Sequence, residues 1–229
     1  MKKMLMVLVL CIALFGGETE KNSLNELVQK YAKDMKIIEN RKKASIAYNK
    51  KDYYTAVKYY KKGANKGDLD SQAALANIYK SGLGIEKNYK EAIYWYKKAA
   101  TQGHVFSQFM LGNMYENSII NYKKALYWYK KAAAQGHDGA QLFIGKMYDD
   151  GEGVKQDYNK AAYWYKKAVN QENILAHLQL GLLYAMGKGV KKDSIKAYKL
   201  WTKAAKQGDS TAQRNLGILC NQSPWACKK

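Results

Sequence analysis

Residues 136–171 read GHDGAQLFIGKMYDDGEGVKQDYNKAAYWYKKAVNQ, and this stretch decides the fold because the chain repeats it. Segments 67–102 and 172–207 have the same length of 36 residues, and segment 103–135 is the same unit shortened by three residues. Residues 208–220 begin a further copy. Self-similarity at a fixed period of this size is typical of a solenoid, in which each repeat buries its apolar face against its neighbours.

Each repeat predicts two helices. The first places Leu, a small residue and Tyr on one face, as Leu180, Gly181 and Tyr184 do. A Gly-x-Gly loop follows in three repeats, and its first glycine suits a left-handed helix C-cap better than a phosphate-binding loop. The second helix carries Ala and a Trp-Tyr pair three or four residues apart, an arrangement that predicts core packing. It begins after a side chain that predicts an N-cap, at Asn88, Asn121, Asp157 and Asp193.

The motifs resemble a known family. Leu111-Gly112 with Tyr115, the loop Gly151-Glu152-Gly153-Val154, and Trp164-Tyr165-Lys166-Lys167-Ala168 are similar to the Sel-one-like repeat (SLR) family, a relative of the tetratricopeptide repeats. The resemblance covers residues 67–220, and more weakly 42–66, which read as a degenerate tetratricopeptide-like unit. It implies an all-α, right-handed α/α superhelical solenoid whose first helices line a concave face. Family members typically act as adaptors or binders of other proteins, and many are exported by bacteria.

The segments outside the repeats predict export and a simple end cap. Residues 1–17 combine a short basic segment with an apolar run, the layout of a signal peptide with an uncertain cleavage site. An uncleaved anchor or a lipid attached at Cys11 are the alternatives. Residues 18–41 are polar and rich in Lys, and we expect a flexible segment running into a helix. Residues 208–229 form a capping half-repeat. The expected location is therefore the periplasm or the outside of the cell.

Cysteine usage agrees with an oxidising compartment. Cys220 and Cys227 remain as a pair outside the signal, and seven residues of continuous helix would hold their Cα atoms about 10.5 Å apart, too far for a bond. Pro224 between them should break the helix and let the chain turn back. We predict a disulfide, with two free thiols as the alternative.

The charge predicts acidic partners. There are 39 Lys plus Arg against 19 Asp plus Glu, which gives a formal net charge of +20. Only Arg41 and Arg214 are arginines, whereas nucleic-acid recognition favours arginine, so no nucleic acid is expected. The excess lysine favours acidic partners or anionic envelope surfaces, through an attraction that salt weakens.

The sequence contains no recognisable catalytic or cofactor site. Some exported SLR proteins are labelled as β-lactamases or penicillin-binding proteins, but this chain has no S-x-x-K, S-D-N or K-T-G motif. The three histidines, His104, His137 and His177, are too widely spaced for a shared zinc ion. We therefore predict no enzyme activity, no metal and no cofactor.

We predict instead a groove for a segment of another protein. On the tetratricopeptide pattern, fixed positions of each first helix face the groove, and they differ in chemistry between repeats. The candidate residues, apolar at the walls and acidic in the centre, are Phe106, Phe109, Asn113, Glu116, Leu142, Asp149, Asp150, Leu175, Leu178, Leu182 and Met186. An extended or helical segment bearing Lys or Arg fits such a groove.

Two alternatives to a general adaptor remain open at this point. One is a periplasmic immunity or inhibitor protein that neutralises a toxin. The other is a β-lactamase or penicillin-binding protein, by family label only. For the groove itself, the alternative is that residues 208–229, with Trp225, simply cover residues 175–186 as a cap.

Overall fold

The fold is a series of helical hairpins. The computed structural model describes residues 17–227, and the predicted signal peptide lies outside this range except for its last residue, Gly17. Within the range there are eleven α-helices and a short 3-10 helix at Pro224–Cys227, and no strand. The helices are α1 Glu18–Asn49, α2 Tyr53–Ala64, α3 Leu69–Ser81, α4 Tyr89–Thr101, α5 Val105–Asn117, α6 Tyr122–Ala134, α7 Asp138–Asp150, α8 Tyr158–Val169, α9 Ile174–Met186, α10 Ser194–Lys206 and α11 Ser210–Gln222.

The helices form two compact units that divide at Lys98 and Ala99. The N-terminal unit contains α1 to α3 and most of α4. The C-terminal unit contains the pairs α5–α6, α7–α8 and α9–α10, followed by α11 alone. None of the helices described is long and apolar enough to cross a membrane.

Polar side chains cap the ends of these helices. The predicted N-caps of the second helices are confirmed, since each side-chain oxygen accepts a backbone N–H three residues later. The N-caps of the first helices α5 and α7 were not predicted, because both are histidines, which are uncommon at this position. His104 Nδ1 accepts from the Ser107 N–H and His137 Nδ1 from the Ala140 N–H. The left-handed glycine C-caps are confirmed at Gly82, Gly151 and Gly187.

Each hairpin of the C-terminal unit closes where an aromatic ring lies on a glycine. A Cβ atom added to Gly112 would lie 2.6 Å from the Tyr129 ring, and one added to Gly145 would lie 2.5 Å from the Tyr165 ring. Trp201 covers Gly181 in the same way. Tyr129 and Tyr165 are fully buried at these contacts. The absence of a side chain on each glycine therefore admits the aromatic ring of the neighbouring helix.

In two hairpins of the C-terminal unit, a glutamine pair links the first helix to the turn that follows the second helix. The side-chain amide of Gln135 donates to Gln108 Oε1 at 2.8 Å, and that of Gln171 donates to Gln141 Oε1 at the same distance. Gln108 also donates to the Ala100 carbonyl oxygen near the end of α4, which accepts a second bond from the Gly103 N–H. The two glutamine pairs therefore act within a hairpin, whereas the bond from Gln108 to Ala100 joins α5 to the preceding helix α4.

The N-terminal segment is helical, and the expectation of a flexible stretch was wrong. Helix α1 begins at Glu18, where the Glu20 carboxylate accepts from the Gly17 N–H at 3.0 Å. The segment contains neither proline nor an internal glycine, so its good helix formers continue without interruption. Only the end of α1 is buried, at Asn40, Ala44 and Ala47.

The chain closes with a disulfide. Helix α11 ends before Pro224, and the chain turns back so that Cys220 and Cys227 are bonded, with their Cα atoms 5.7 Å apart. The predicted pairing is thus present in the structure. The bond holds the last 3-10 turn against the end of α11 and leaves Trp225 exposed.

The glycine contacts predict opposite effects for two identical substitutions. We expect Gly145→Ala to lower the free energy of unfolding by about 1–3 kcal/mol, because the new methyl group overlaps the Tyr165 ring. Gly217 occupies the same position of α11, where a Cβ atom would meet nothing within 4 Å. Gly217→Ala should therefore raise the free energy by about 0.5–1 kcal/mol through helix propensity. Urea denaturation measures both values, and a stabilising effect of Gly145→Ala would contradict the packing described.

Candidate partner-binding surface

The predicted groove residues lie on the first helices α5, α7 and α9 of the C-terminal unit. Side-chain contacts link these helices directly. The Phe109 ring of α5 stacks on His137, the N-cap of α7, with ring centroids 4.4 Å apart. The Asn173 amide, at the N-cap of α9, donates to Asp138 Oδ2 at 2.7 Å. Neighbouring first helices are therefore held side by side, as a common face requires.

Two predicted groove residues are buried and do not line an open surface. Glu116 lies one helical turn after Gly112, on the face that the Tyr129 ring covers, and the Tyr129 hydroxyl donates to its carboxylate. Leu142 packs in the hydrophobic cluster around Tyr165 and Leu180. The tetratricopeptide pattern placed both in the groove, but the aromatic residue of the second helix occupies the space beside the glycine and encloses them.

Other predicted residues are half-buried. Asp149 Oδ2 accepts from the Tyr165 hydroxyl at 3.1 Å, the same arrangement as Glu116 with Tyr129. Phe109 packs between Tyr129 and Phe143 besides its stack on histidine. Asn113 is also half-buried. These contacts make the centre of the predicted groove a structural layer, with Asp150 as its exposed carboxylate.

Burial changes the titration of these paired groups. Loss of solvation raises the pKa of the Glu116 carboxyl, although the Tyr129 hydroxyl opposes the change by bonding the ionised form. The pKa of Asp149 is raised for the same reason, and the hydroxyl of Tyr165 opposes it. The pKa values of Tyr129 and Tyr165 are raised by burial and by the neighbouring carboxylates. Both pairs therefore favour a neutral tyrosine beside the carboxyl group.

The exposed part of the predicted groove lies on α9. Leu175, Leu182 and Met186 are 53%, 39% and 53% exposed, and their spacing of seven and four residues puts them on one helix face. We call these three residues the apolar strip. The capping half-repeat, including Trp225, leaves these three side chains exposed. The capping alternative is therefore contradicted for them. Phe106 of α5 is also exposed.

Leu178 lies on α9 but not in the apolar strip. Its side chain packs against the cluster that contains Trp201, and its carbonyl oxygen accepts from Trp201 Nε1 at 3.0 Å. The cap alternative holds here, because Leu178 belongs to the packed end of the unit. A charge at this position would disturb folding as well as binding.

A pocket of about 190 Å³ continues from the apolar strip and was not foreseen from the sequence. Leu182, Ala185, Trp201 and Ile218 supply apolar walls, and Lys192 lies among the polar residues that complete its lining. This volume is below the roughly 300 Å³ at which pockets for small molecules begin. It suits a single side chain of a partner.

Among residues 17–227, no group of three His, Cys, Asp or Glu side chains is placed to hold a metal ion. His104 and His137 serve as helix caps, and His177 is buried with its Nδ1 2.8 Å from the Asn173 carbonyl oxygen. Each histidine therefore has its own structural role. The surface can recognise a partner by its shape, its apolar contacts and its charge.

Stacked helical hairpins with an exposed face define a helical repeat protein of the solenoid class, and the comparisons confirm the predicted fold class. The Sel1 repeat model matches residues 50–68, 69–104, 105–137, 139–173 and 174–209. The chain belongs to the Sel1 repeat family, as the sequence motifs predicted. Sel1 repeats are protein-interaction modules and are typically not enzymes.

Solved structures agree with this assignment. A Sel1 repeat protein from Oxalobacter formigenes is 34% identical, with a TM-score of 0.71 over 77% of this chain and 74% of that chain. A protective antigen of uropathogenic Escherichia coli with an SLR fold is 31% identical, with a TM-score of 0.75 over 91% of this chain but only 46% of its own. An immunity protein from Pseudomonas aeruginosa, 21% identical with a TM-score of 0.50 over 74% of this chain and 67% of its own, shares the fold alone. No curated protein sequence matches the chain.

Because the Glu116 carboxyl is buried, we predict that Glu116→Gln stabilises the protein to an extent that depends on pH. Because folding raises this pKa, the native state holds the proton more tightly than the unfolded chain does. The resulting stabilisation is complete below the unfolded value of 4.5 and is lost as the pH rises through the raised pKa. Glu116→Gln keeps an oxygen acceptor for Tyr129 and removes the charge, so this variant should be more stable than the parent at pH 7.

Thermal unfolding of this variant at pH 7 and at pH 4 measures the effect. The advantage of Glu116→Gln over the parent should shrink at the lower pH. Asp150→Asn is the matched control, because it removes an exposed carboxylate from the same helix region. A gain for Glu116→Gln that is equal at both pH values would contradict a buried, titrating carboxyl.

Proposed function

We propose that this protein is an exported adaptor or binding protein that captures a segment of another protein on the face formed by α5, α7 and α9. The observation that carries the proposal is the apolar strip of Leu175, Leu182 and Met186, which stays exposed although a capping helix follows it. Clustered exposed apolar side chains in a soluble domain mark interaction sites. The repeat family supports a protein as the partner.

The surface favours a partner segment with two kinds of side chain. An apolar residue of the partner would enter the pocket beside Leu182, where Trp201 and Ile218 offer contact. A Lys or Arg of the partner would meet the exposed Asp150 on α7. Such anchors provide most of the binding energy, while the surrounding polar residues exclude water.

The location outside the cytoplasm belongs to this proposal. The short basic start and the apolar run of residues 1–17 support it, and so does the cysteine pair of the C-terminal turn. An immunity role is a narrower form of the same function, and the identity of the partner would distinguish it from a general adaptor.

Substitutions in the apolar strip test the proposal. We expect Leu182→Glu combined with Met186→Glu to weaken partner binding by about tenfold or more, because two charges replace the contact surface. The measurement is affinity capture from the producing cell's envelope, followed by titration of the captured partner. Circular dichroism and melting of the double variant should match the parent, since both positions are exposed.

Ile195→Glu is the matched control, because Ile195 is an exposed large apolar residue on the second helix α10. It should leave capture unchanged. Capture that survives both strip substitutions and is lost at about 0.5 M salt would contradict the proposal, because the attraction would then be electrostatic alone.

A further inference from the structure

Charge is sorted between the two helices of each repeat in the C-terminal unit. The second helices α6, α8 and α10 carry eleven lysines and no Asp or Glu within their bounds. The first helices α5, α7 and α9 carry one lysine, Lys146, and four acidic residues, which are Glu116, Asp138, Asp149 and Asp150. The charged side chains of the second helices are thus all of one sign, and we call the lysine-bearing sides of α6, α8 and α10 the basic face.

The lysines of the basic face are available to a partner. All eleven are exposed. Three are paired within the chain, Lys160 with Asp157, Lys196 with Asp193 and Lys203 with Glu172. Along α6, Lys123, Lys130 and Lys131 share one side of the helix, and among residues 17–227 no carboxylate lies within salt-bridge distance of them.

Exposed tyrosines lie among these lysines. Tyr127 on α6 and Tyr163 on α8 are 54% and 53% exposed, and they occupy the same position of successive repeats. The Lys131 ammonium lies 5.6 Å from the Tyr127 ring centroid, and the Lys167 ammonium lies 5.0 Å from that of Tyr163. Helices α6 and α8 therefore each present an exposed tyrosine ring with a lysine ammonium beside it.

We propose that the basic face binds the surface of a lipid bilayer that contains anionic phospholipids. Lysine is a flexible point charge whose aliphatic stem can lie along the apolar boundary while its ammonium meets a phosphate. Tyrosine is the side chain that prefers the headgroup level, where its ring is in apolar surroundings and its hydroxyl in water. Clusters of four to eight basic residues on helices are typical of anionic-lipid binding.

Other polyanions fit the same face less well. Nucleic-acid recognition depends on arginine forks, and α6, α8 and α10 contain no arginine. A soluble acidic polysaccharide would use the lysines, but it would give the exposed Tyr127 and Tyr163 no apolar layer to enter. The proposal is independent of the apolar strip, which lies on α9, a first helix.

Vesicle binding tests the proposal. The probes are vesicles of phosphatidylcholine with about 30% phosphatidylglycerol, vesicles of phosphatidylcholine alone, and soluble dextran sulfate. We expect flotation with the anionic vesicles only, and loss of this binding at about 0.5 M salt. Lys123→Glu combined with Lys130→Glu should weaken the binding by about 30-fold or more, from about fivefold for each lysine removed.

Two matched variants separate a specific face from net charge and from polyanion binding. Lys155→Glu with Lys191→Glu makes the same charge change in the loops that precede α8 and α10. The fold-change in vesicle binding should be less than half of that caused by Lys123→Glu with Lys130→Glu. Tyr127→Ala with Tyr163→Ala should weaken vesicle binding and leave dextran sulfate binding unchanged. The proposal is overturned if the two lysine pairs act equally, or if dextran sulfate binds and the anionic vesicles do not. Leu182→Glu should leave vesicle binding intact.

Discussion

The contact of an aromatic ring with a glycine determines the geometry of the C-terminal unit. Tyr129, Tyr165 and Trp201 each occupy the volume that a Cβ atom would need on the first helix of their repeat. The two helices of a hairpin can approach this closely only because the glycine lacks a side chain. The rings are buried by the approach, so the contact supplies both the apolar burial and the position of one helix against the other.

The same contact determines the chemistry of the surface. With the ring seated on the glycine, its polar atom reaches the residue one turn further along the first helix, which is Glu116 for Tyr129 and Asp149 for Tyr165. A buried hydroxyl requires a partner, and these carboxyls supply one. Two acids that would otherwise be open to a ligand are thereby committed to the fold. The surface left for a partner is the side of α9 that carries Leu175, Leu182 and Met186.

The sequence predicted the fold well, but it did not predict which of the groove residues are exposed. Repeat length, glycine loops and the Asn or Asp caps are local signals, and they predicted the hairpins because each depends on neighbours in the chain. The accessibility of Glu116 and Leu142 depends on the direction of an aromatic ring from another helix, which a position-by-position pattern does not contain. The sequence does contain one signal for the direction of the ring. A Tyr and an acidic residue recur at matching positions in two repeats, as Tyr129 with Glu116 and Tyr165 with Asp149. Residues 18–41 are helical although they are polar, because lysine is a good helix former and its abundance does not indicate flexibility.

The end of the chain gives a reason to treat the apolar strip as functional. In α11, Gly217 keeps the glycine position although no aromatic ring covers it, and Arg214 stands where Phe109, Leu142 and Leu178 stand in the preceding repeats. Arg214 is exposed and gives this position of α11 a polar side chain. The adjacent helix α9 faces the same solvent with Leu175, Leu182 and Met186, and it has no such substitution. A polar residue therefore replaces an apolar one on α11 but not on the strip, as expected if the strip is covered by a partner rather than by water.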